Sequence, residues 1–289
     1  MREPYLGIDN EMKITTAWSN PLITRQIHQS HVETLTAMCA KKFEWEHLRG
    51  EMPSGKAAGP NLPMALGTAS HELLSAIIGG RVQPGKEIVE LRDKLFNEHI
   101  LPALSSDDDY NSIGKQWLVN NDVIIQYVLT HLELPNLHDE KPFLVPQISD
   151  LIGDNVDPSW AVAGRMDLAE INEDARTLKI FDYKFRGRSN PNRNKASAQS
   201  SMYALAGFYY GYETSFTYLE VVRGRLMEHN IPVEADQLDW LYERLRQSIQ
   251  MMEHGILPMN VGGWWCSSKY CKWWSVCRGR YEHEEGTDN

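Results

Sequence analysis

The sequence predicts an α/β fold in which helices flank a mixed central sheet. Trp160–Ile171 and Thr177–Phe185 are rich in apolar and β-branched residues, and the polar turn Asn172–Arg176 separates them. This pattern is typical of a β-hairpin. The stretch that follows predicts a helix and then two more strands, at Lys195–Tyr212, Ser215–Arg223 and Arg225–Ile231.

The chain before the hairpin is predicted to be mostly helical. A helix should begin at Ser30, because Ser30 and Glu33 have the spacing of a capping box, and it should end near Leu48. Glu51–Pro63 is rich in Gly and Pro and predicts a linker. Beyond it we expect a helix that carries His71. Two helices that form an insertion should follow at Gly85–His99 and Ile113–Leu132, and a strand at Pro142–Leu151 should precede the hairpin.

Composition is that of an ordinary globular protein, with 289 residues, 42% hydrophobic residues and 24% charged residues. No apolar run approaches the ~20 residues that span a bilayer, and the first residues lack the layout of a signal peptide. We therefore expect a cytoplasmic protein with no membrane partner. One domain is predicted, divided into N-terminal helices (28–80), a helical insertion (81–140), a core (141–255), a cysteine segment (256–280) and an acidic tail (281–289).

Acidic and basic side chains meet at the end of the predicted hairpin. Asp182 and Lys184 lie two residues apart on a strand, so their side chains point to one face, and Asp167 can lie across from them. Two carboxylates and a lysine suit a divalent cation and an activated water. The alternative is a solvated strand face with a weak ion pair.

Two residues on the helix predicted after the hairpin favour the catalytic interpretation. Gln199 and Tyr203 are four residues apart and share one helix face. The series Gly164-x-x-Asp167, Asp182-x-Lys184 and Gln199-x-x-x-Tyr203 resembles the RecB-like branch of the PD-(D/E)XK nuclease superfamily. This resemblance implies a restriction-endonuclease-like core and a metal-dependent DNA nuclease.

The resemblance also implies roles for individual residues. Asp167 and Asp182 would bind Mg²⁺ or Mn²⁺, with His71 and the carbonyl of Tyr183 as further ligands. A lone histidine on a helix is more often structural, but the family has one a few residues after a glycine, as in Gly67-x-x-x-His71. Lys184 would orient or deprotonate the attacking water and offset transition-state charge. Gln199 and Tyr203 would position the scissile strand or Lys184.

Two other features concern the metal and the DNA. Where the family often has an acidic residue, this chain has Gln147, which leaves the third acidic ligand open. The chain carries a net charge of −10, yet the stretch from 184 to 195 has no acidic residue. Its five basic residues predict a phosphate-binding loop beside the metal site, the alternative being a solvated loop: Lys184, Arg186, Arg188, Arg193 and Lys195.

The four cysteines predict a metal centre. Cys266, Cys271 and Cys277 fall within twelve residues, and clustered cysteines in a cytosolic chain favour a metal over disulfides. With Cys39 they could complete a tetrahedral zinc site or a [4Fe–4S] cluster. A chance cluster in an aromatic-rich segment is the alternative.

Cys39 adds to the resemblance. Ser30–Leu48, with Cys39 followed by Lys41, Lys42 and Phe43, resembles the N-terminal helix of RecB-like nucleases in which one distant cysteine joins three others in an iron–sulfur cluster. Four residues separate Cys266 from Cys271, where the family commonly has two. The resemblance extends to CRISPR-associated spacer-acquisition nucleases and AddB-like exonucleases.

The expected function is that of an exonuclease on single-stranded DNA or DNA ends, in recombination, repair or CRISPR spacer acquisition. A protein partner from recombination or CRISPR adaptation is expected with it. One alternative is a non-catalytic DNA-binding or assembly subunit that keeps the fold and the cluster. The other is a zinc-stabilised interaction module, which would leave the hairpin motif unexplained.

Overall fold

The computed structural model describes residues 25–49, 62–83, 85–105, 108–132, 136–153, 155–186, 198–232, 235–263, 265–267 and 271–277. In chain order the strands are β1 (Arg25–Ile27), β2 (Leu137–Val145), β3 (Trp160–Asn172), β4 (Thr177–Arg186), β5 (Glu213–Val222) and β6 (Arg225–Ile231). The α-helices are α1 (Gln29–Glu33), α2 (Ala40–Phe43), α3 (Leu62–Ile78), α4 (Lys86–Leu95), α5 (Tyr110–His131), α6 (Ser149–Ile152), α7 (Ala198–Tyr210), α8 (Ala235–Glu253) and α9 (Trp274–Cys277).

The strands form one mixed sheet in the order β1-β3-β4-β5-β6, and β2 also pairs with β3. The pairs β1–β3 and β4–β5 are parallel, whereas β2–β3, β3–β4 and β5–β6 are antiparallel. The parallel β4–β5 pair is connected through α7, as a crossover connection requires. The predicted mixed α/β fold is confirmed.

Helices cover both faces of the sheet because β4 and β5 alternate apolar residues between their two sides. Ile180 and Phe216 pack in a core with residues of α7 and α8. Phe181 and Leu219 pack in a second core with residues of α3, α4 and α5. The predicted helical insertion therefore covers one sheet face, and the helix that follows the hairpin covers the other.

The N-terminal helical segment runs from α1 to Leu48 through two π-helical stretches, Thr34–Cys39 and Glu44–Leu48. It packs against the chain beyond α8, where Leu35, Ala40 and Phe43 form a small core with Leu257. The backbone N–H of Lys41 also donates to the carbonyl of Pro258 at 3.2 Å. The two ends of the described chain are thus held together by apolar and backbone contacts.

Two local predictions were wrong. The N-terminal helix is capped by His28, whose backbone N–H donates to His31 Nδ1 at 3.4 Å, and not by a capping box from Ser30 to Glu33. The strand predicted at Pro142–Leu151 instead begins at Leu137 and ends at Val145. Pro146 follows, Gln147 has a positive φ of 50°, and α6 then begins. The left-handed backbone at Gln147 ends the extended conformation.

Asp109 caps α5, since its carboxylate accepts from the backbone N–H groups of Asn111 and Ser112. The helix begins at Tyr110, three residues before the predicted Ile113. The predicted linker falls almost entirely outside the described residues, and so does the acidic tail. Among the helices that the structure describes, none is long and apolar enough to span a bilayer.

Candidate active site

The site lies where β3 and β4 separate. Their last paired residues at this end are Leu168 and Phe181, so Asp167 and Asp182 are the next residues on each strand. On the other side of β3, Asp167 and Glu140 of β2 stand across from each other but do not pair, although their neighbours do. β4 continues beside β5 as far as Arg186. The sheet therefore opens at the position where two carboxylates would face each other.

Asp182 is fully buried and is held by two side chains. The Lys184 ammonium lies 2.8 Å from its Oδ1 and 2.7 Å from its Oδ2. Gln199 Nε2 donates to Oδ1 at 2.7 Å. Asp182 and Lys184 share one face of β4, as their spacing predicts, and α7 covers that face.

α7 links Asp182 to β3 through Tyr203. Gln199 Nε2 donates to Tyr203 Oη at 2.9 Å, and this hydroxyl donates to the carbonyl of Arg165 at 2.9 Å. Tyr218 Oη donates to Gln199 Oε1 at 3.4 Å from β5. The hydrogen bonds of Gln199 and Tyr203 thus reach Asp182 and the backbone of β3, and they fix these groups relative to each other.

Asp167 is strongly perturbed by its surroundings. Burial, and then the nearby charge of Asp182, raise the pKa of Asp167 to about 9. His71 Nε2, from α3, lies 3.7 Å from Asp167 Oδ2. Burial lowers the pKa of His71, so its imidazole is neutral at pH 7, the form that binds metals. The ring of Tyr183 packs against His71 at 4.3 Å between centroids.

The carboxylates fit a divalent cation in their chemistry. The Oδ2 atoms of Asp167 and Asp182 are buried and accept no well-formed hydrogen bond, although Lys184 lies close to the latter. Carboxylate oxygens are the ligands that Mg²⁺ and Mn²⁺ prefer. Within the described residues, no three His, Cys, Asp or Glu side chains converge on one ion position. Addition of His71 as a third ligand therefore requires side-chain movement.

Sequence reasoning missed Glu140 and Arg165. Glu140 stands across from Asp167 with a φ of 48°, a backbone conformation that is uncommon outside glycine. Its Oε2 pairs with Arg165 Nη1 at 2.5 Å. Gln147, by contrast, is exposed on the loop before α6. Because side chains alternate along a strand, the sequence could have placed Arg165 on the same face as Asp167. Glu140 could not be found in this way, because the predicted strand began only at Pro142.

The predicted basic loop lies mostly outside the described residues. Arg186 is the last residue of β4, two positions beyond Lys184. Arg188, Arg193 and Lys195 belong to the undescribed stretch 187–197. The loop therefore begins directly beside the carboxylate site.

All four cysteines line one cavity of about 210 Å³. None of them forms a disulfide. Burial raises the pKa of both Cys271 and Cys277, with the other cysteines contributing. The structure thus brings Cys39 to the C-terminal trio across more than two hundred residues of sequence.

Aromatic and charged contacts join the two segments that carry the cysteines. Trp45 stacks on Trp273, with ring centroids 5.8 Å apart, and both rings line the cavity. Lys272 Nζ pairs with Glu46 Oε1 at 3.1 Å. Cys39 itself has an extended backbone (φ −152°, ψ 109°) between two helical stretches, and its Sγ accepts from the N–H of Asn260 at 3.5 Å.

Comparisons with known proteins place the chain in a family. Residues 26–278 match the model of the PD-(D/E)XK nuclease superfamily. The search of curated proteins found no match. Among solved structures, the protein SSO0001 is 13% identical with a TM-score of 0.42, and 92% of each chain is covered. A protein from Eubacterium rectale, named as a candidate exonuclease, is 11% identical with a TM-score of 0.46, over 90% of this chain and 93% of that one.

Similarities at these TM-scores and identities establish neither a shared function nor a detailed structural match. The family match, in contrast, covers most of the chain, from β1 to the last cysteine. The chain belongs to the PD-(D/E)XK nuclease superfamily.

Proposed function

We propose that the protein is a metal-dependent DNA nuclease of the RecB-like branch that hydrolyses phosphodiester bonds at Asp167, Asp182 and Lys184. One observation carries the proposal: the buried Asp182 sits opposite Asp167 where the strands separate, and Lys184 and Gln199 hold its carboxylate. An ordinary structural ion pair explains neither the opening of the sheet nor the burial of two carboxyl groups side by side.

Asp167 and Asp182 would hold Mg²⁺ or Mn²⁺, with the imidazole of His71 and the carbonyl of Tyr183 as further ligands. When bound, the cation supplies Lewis acidity and lowers the pKa of a water molecule. The Lys184 ammonium lies against the Asp182 carboxylate, so it can orient the attacking water and offset negative charge on the phosphate. Gln199 and Tyr203 are positioning residues, because they contact Asp182 and the β3 backbone.

The DNA strand would reach this site along the basic loop that begins at Arg186. Arg186, Arg188, Arg193 and Lys195 would bind its phosphates, which would fix the strand without reading its sequence. We propose exonucleolytic action on single-stranded DNA or DNA ends. The corresponding pathways are recombination, repair or CRISPR spacer acquisition, in which a partner protein would deliver the DNA.

We also propose that Cys39, Cys266, Cys271 and Cys277 bind a [4Fe–4S] cluster that ties the N-terminal helical segment to the C-terminal segment. All four thiols line one cavity, which supports a shared ligand. A single zinc ion would need the sulfur atoms about 4 Å apart, given a Zn–S distance of ~2.3 Å. Within the described residues no three such side chains are grouped around one ion position. The resemblance of the four cysteines to those of RecB-like nucleases favours a [4Fe–4S] cluster, whose role here would be structural.

Metal analysis of anaerobically purified protein tests the cluster. We expect stoichiometric iron and broad absorbance near ~400 nm. Cys39→Ser should lose iron and stability, whereas Ala37→Ser, an exposed change in the same helical stretch, should keep both. Stoichiometric zinc without iron would overturn the cluster, and normal iron in Cys39→Ser would remove Cys39 from it.

Product analysis on matched linear and circular single-stranded DNA tests the exonuclease proposal. With Mg²⁺ or Mn²⁺ we expect the linear strand to be shortened from an end while the circle stays intact. Cleavage of the circle at a similar rate would show endonuclease action. Cleavage of blunt duplex DNA in the same assay would show that duplex ends are substrates, and no cleavage would restrict the enzyme to single strands.

A further inference from the structure

A second cavity adjoins the carboxylate site. One face of α3 presents polar residues at helical spacing, and they line an open cleft of about 630 Å³. Arg81 and Glu140 line it as well. The lining of this cleft is therefore polar and charged: Gly67, Thr68, His71, Glu72, Ser75, Arg81 and Glu140.

His71 connects the cleft to the active site. Its ring lines the cleft, while its Nε2 lies 3.7 Å from Asp167 Oδ2. Glu140 likewise lines the cleft and stands across the ladder from Asp167. A molecule in the cleft would therefore lie beside any phosphate held at Asp167 and Asp182.

Arg81 lines the cleft, and Arg165 lies outside the lining but pairs with Glu140, which belongs to it. The side chain of Arg165 is 65% exposed and pairs with Glu140 at 2.5 Å. Arg81 donates to the hydroxyl of Ser75 at 2.7 Å, which leaves its other N–H groups available to a ligand. A phosphate accepts two parallel hydrogen bonds from a guanidinium and would replace these partners. The carboxylate of Glu72 is already paired, with His99 at 2.9 Å.

We propose that this cleft binds the unpaired nucleotides next to the scissile phosphate, and that Arg165 and Arg81 bind their phosphates. Glu140 holds Arg165 at the rim until the strand enters. The cleft volume lies within the range of roughly 300–1,000 Å³ that is usual for ligand pockets, which suits a short piece of an unpaired strand. This inference rests on the proposed nuclease function and adds to it a binding subsite for the strand.

Gly67 offers a way to fill the cleft without replacing a metal ligand. A Cβ built on Gly67 meets no heavy atom within 4 Å, so a larger side chain can extend into the cleft. Gly67→Phe should weaken binding of a labelled single-stranded oligonucleotide at least tenfold and slow its cleavage. Hydrolysis of bis(p-nitrophenyl) phosphate, which needs only the metal site, should fall much less. Met64→Phe is the control, because Met64 is 63% exposed on the same helix and does not line the cleft.

Arg165→Ala tests the phosphate contact. We expect KM for the oligonucleotide to rise about tenfold, the size of a lost charge-assisted hydrogen bond, with a smaller effect on kcat. The slope of log affinity against log salt should fall by ~0.7 for one lost contact to a single strand. Arg246→Ala, which removes an exposed arginine on α8, should leave KM and the slope unchanged.

Binding measured by fluorescence anisotropy in Ca²⁺ separates the two proposals. If the wild type cleaves DNA but Gly67→Phe binds and cleaves as Met64→Phe does, the cleft inference fails and the nuclease function stands. If the wild type hydrolyses neither substrate, the nuclease function fails. In that case, loss of oligonucleotide binding in Gly67→Phe would still support the cleft, and unchanged binding would overturn it.

Discussion

Replacement of Lys184 by methionine separates a catalytic lysine from a structural ion pair. The Asp182 carboxylate is fully buried, and Lys184 supplies its positive partner at 2.7 to 2.8 Å. Loss of a charged hydrogen bond in such a place costs about 1.5–3 kcal/mol in the free energy of unfolding. A divalent cation at the carboxylates would offset part of this loss, so the difference from the wild type should shrink when Mg²⁺ is added.

The rate should respond more strongly than the stability. Loss of the cation that orients water and offsets phosphate charge should raise the barrier by about 3 kcal/mol, or roughly a hundredfold in the single-turnover rate. Urea unfolding in EDTA and in Mg²⁺, together with cleavage of labelled single-stranded DNA, gives both quantities.

Lys179 provides a matched control on the same strand. Its ammonium pairs with the buried Glu170 at 2.5 Å, but its side chain is 51% exposed and belongs to no part of the site. Lys179→Met also removes a charged partner from a buried carboxylate and should cost a similar amount, about 1.5–3 kcal/mol in the free energy of unfolding, but it should leave cleavage unchanged. Cleavage by Lys184→Met at the wild-type rate, or an equal loss of rate in both variants, would refute the assignment.

Three further predictions follow from the same structure. Because the pKa of Asp167 is raised, the contribution of this group to the stability of the metal-free protein is lost as pH rises from about 4 towards 9. A metal binds the deprotonated carboxylate, so stabilisation by Mn²⁺ should be larger at pH 8 than at pH 6, and an equal rise in Tm at both pH values would contradict this. Gln199→Leu should lower activity or metal affinity by about 10–100-fold, seen as a higher Mn²⁺ requirement for cleavage; an unchanged requirement would argue against positioning of Asp182. Neutralisation of Arg186, Arg188 and Arg193 together should lower the salt slope of DNA binding by ~0.7 per lost contact, and an unchanged slope would mean a merely solvated loop.

The hairpin and its site were predictable because local patterns determine them. Alternation of apolar residues placed β3 and β4 within one residue of their predicted ends, and it placed Asp182 and Lys184 on one face. Helical spacing did the same for Gln199 and Tyr203. These features depend only on strand and helix geometry, which sequence spacing encodes directly.

Features that depend on tertiary pairing were not predictable in the same way. The separation of β3 from β4 at Asp167, and the left-handed backbone of Glu140 opposite it, arise from how three strands meet. The acidic Asp139 and Glu140 before Pro142 masked the true start of β2, since charged residues and proline are unfavourable in strand interiors. The cap at His28 depends on contacts of its ring and backbone that no capping pattern encodes.

The most direct test of the central claim is the single-turnover cleavage of labelled single-stranded DNA in Mn²⁺ by the wild type and by Asp182→Asn. The substitution keeps the shape of the side chain and removes one carboxylate. Glu170→Gln, which neutralises the buried carboxylate on the neighbouring strand, serves as the control. We predict that the wild type and Glu170→Gln cleave the strand, and that Asp182→Asn is at least roughly a hundredfold slower. Cleavage by Asp182→Asn at the wild-type rate, or no cleavage by the wild type in either Mg²⁺ or Mn²⁺, would contradict the claim.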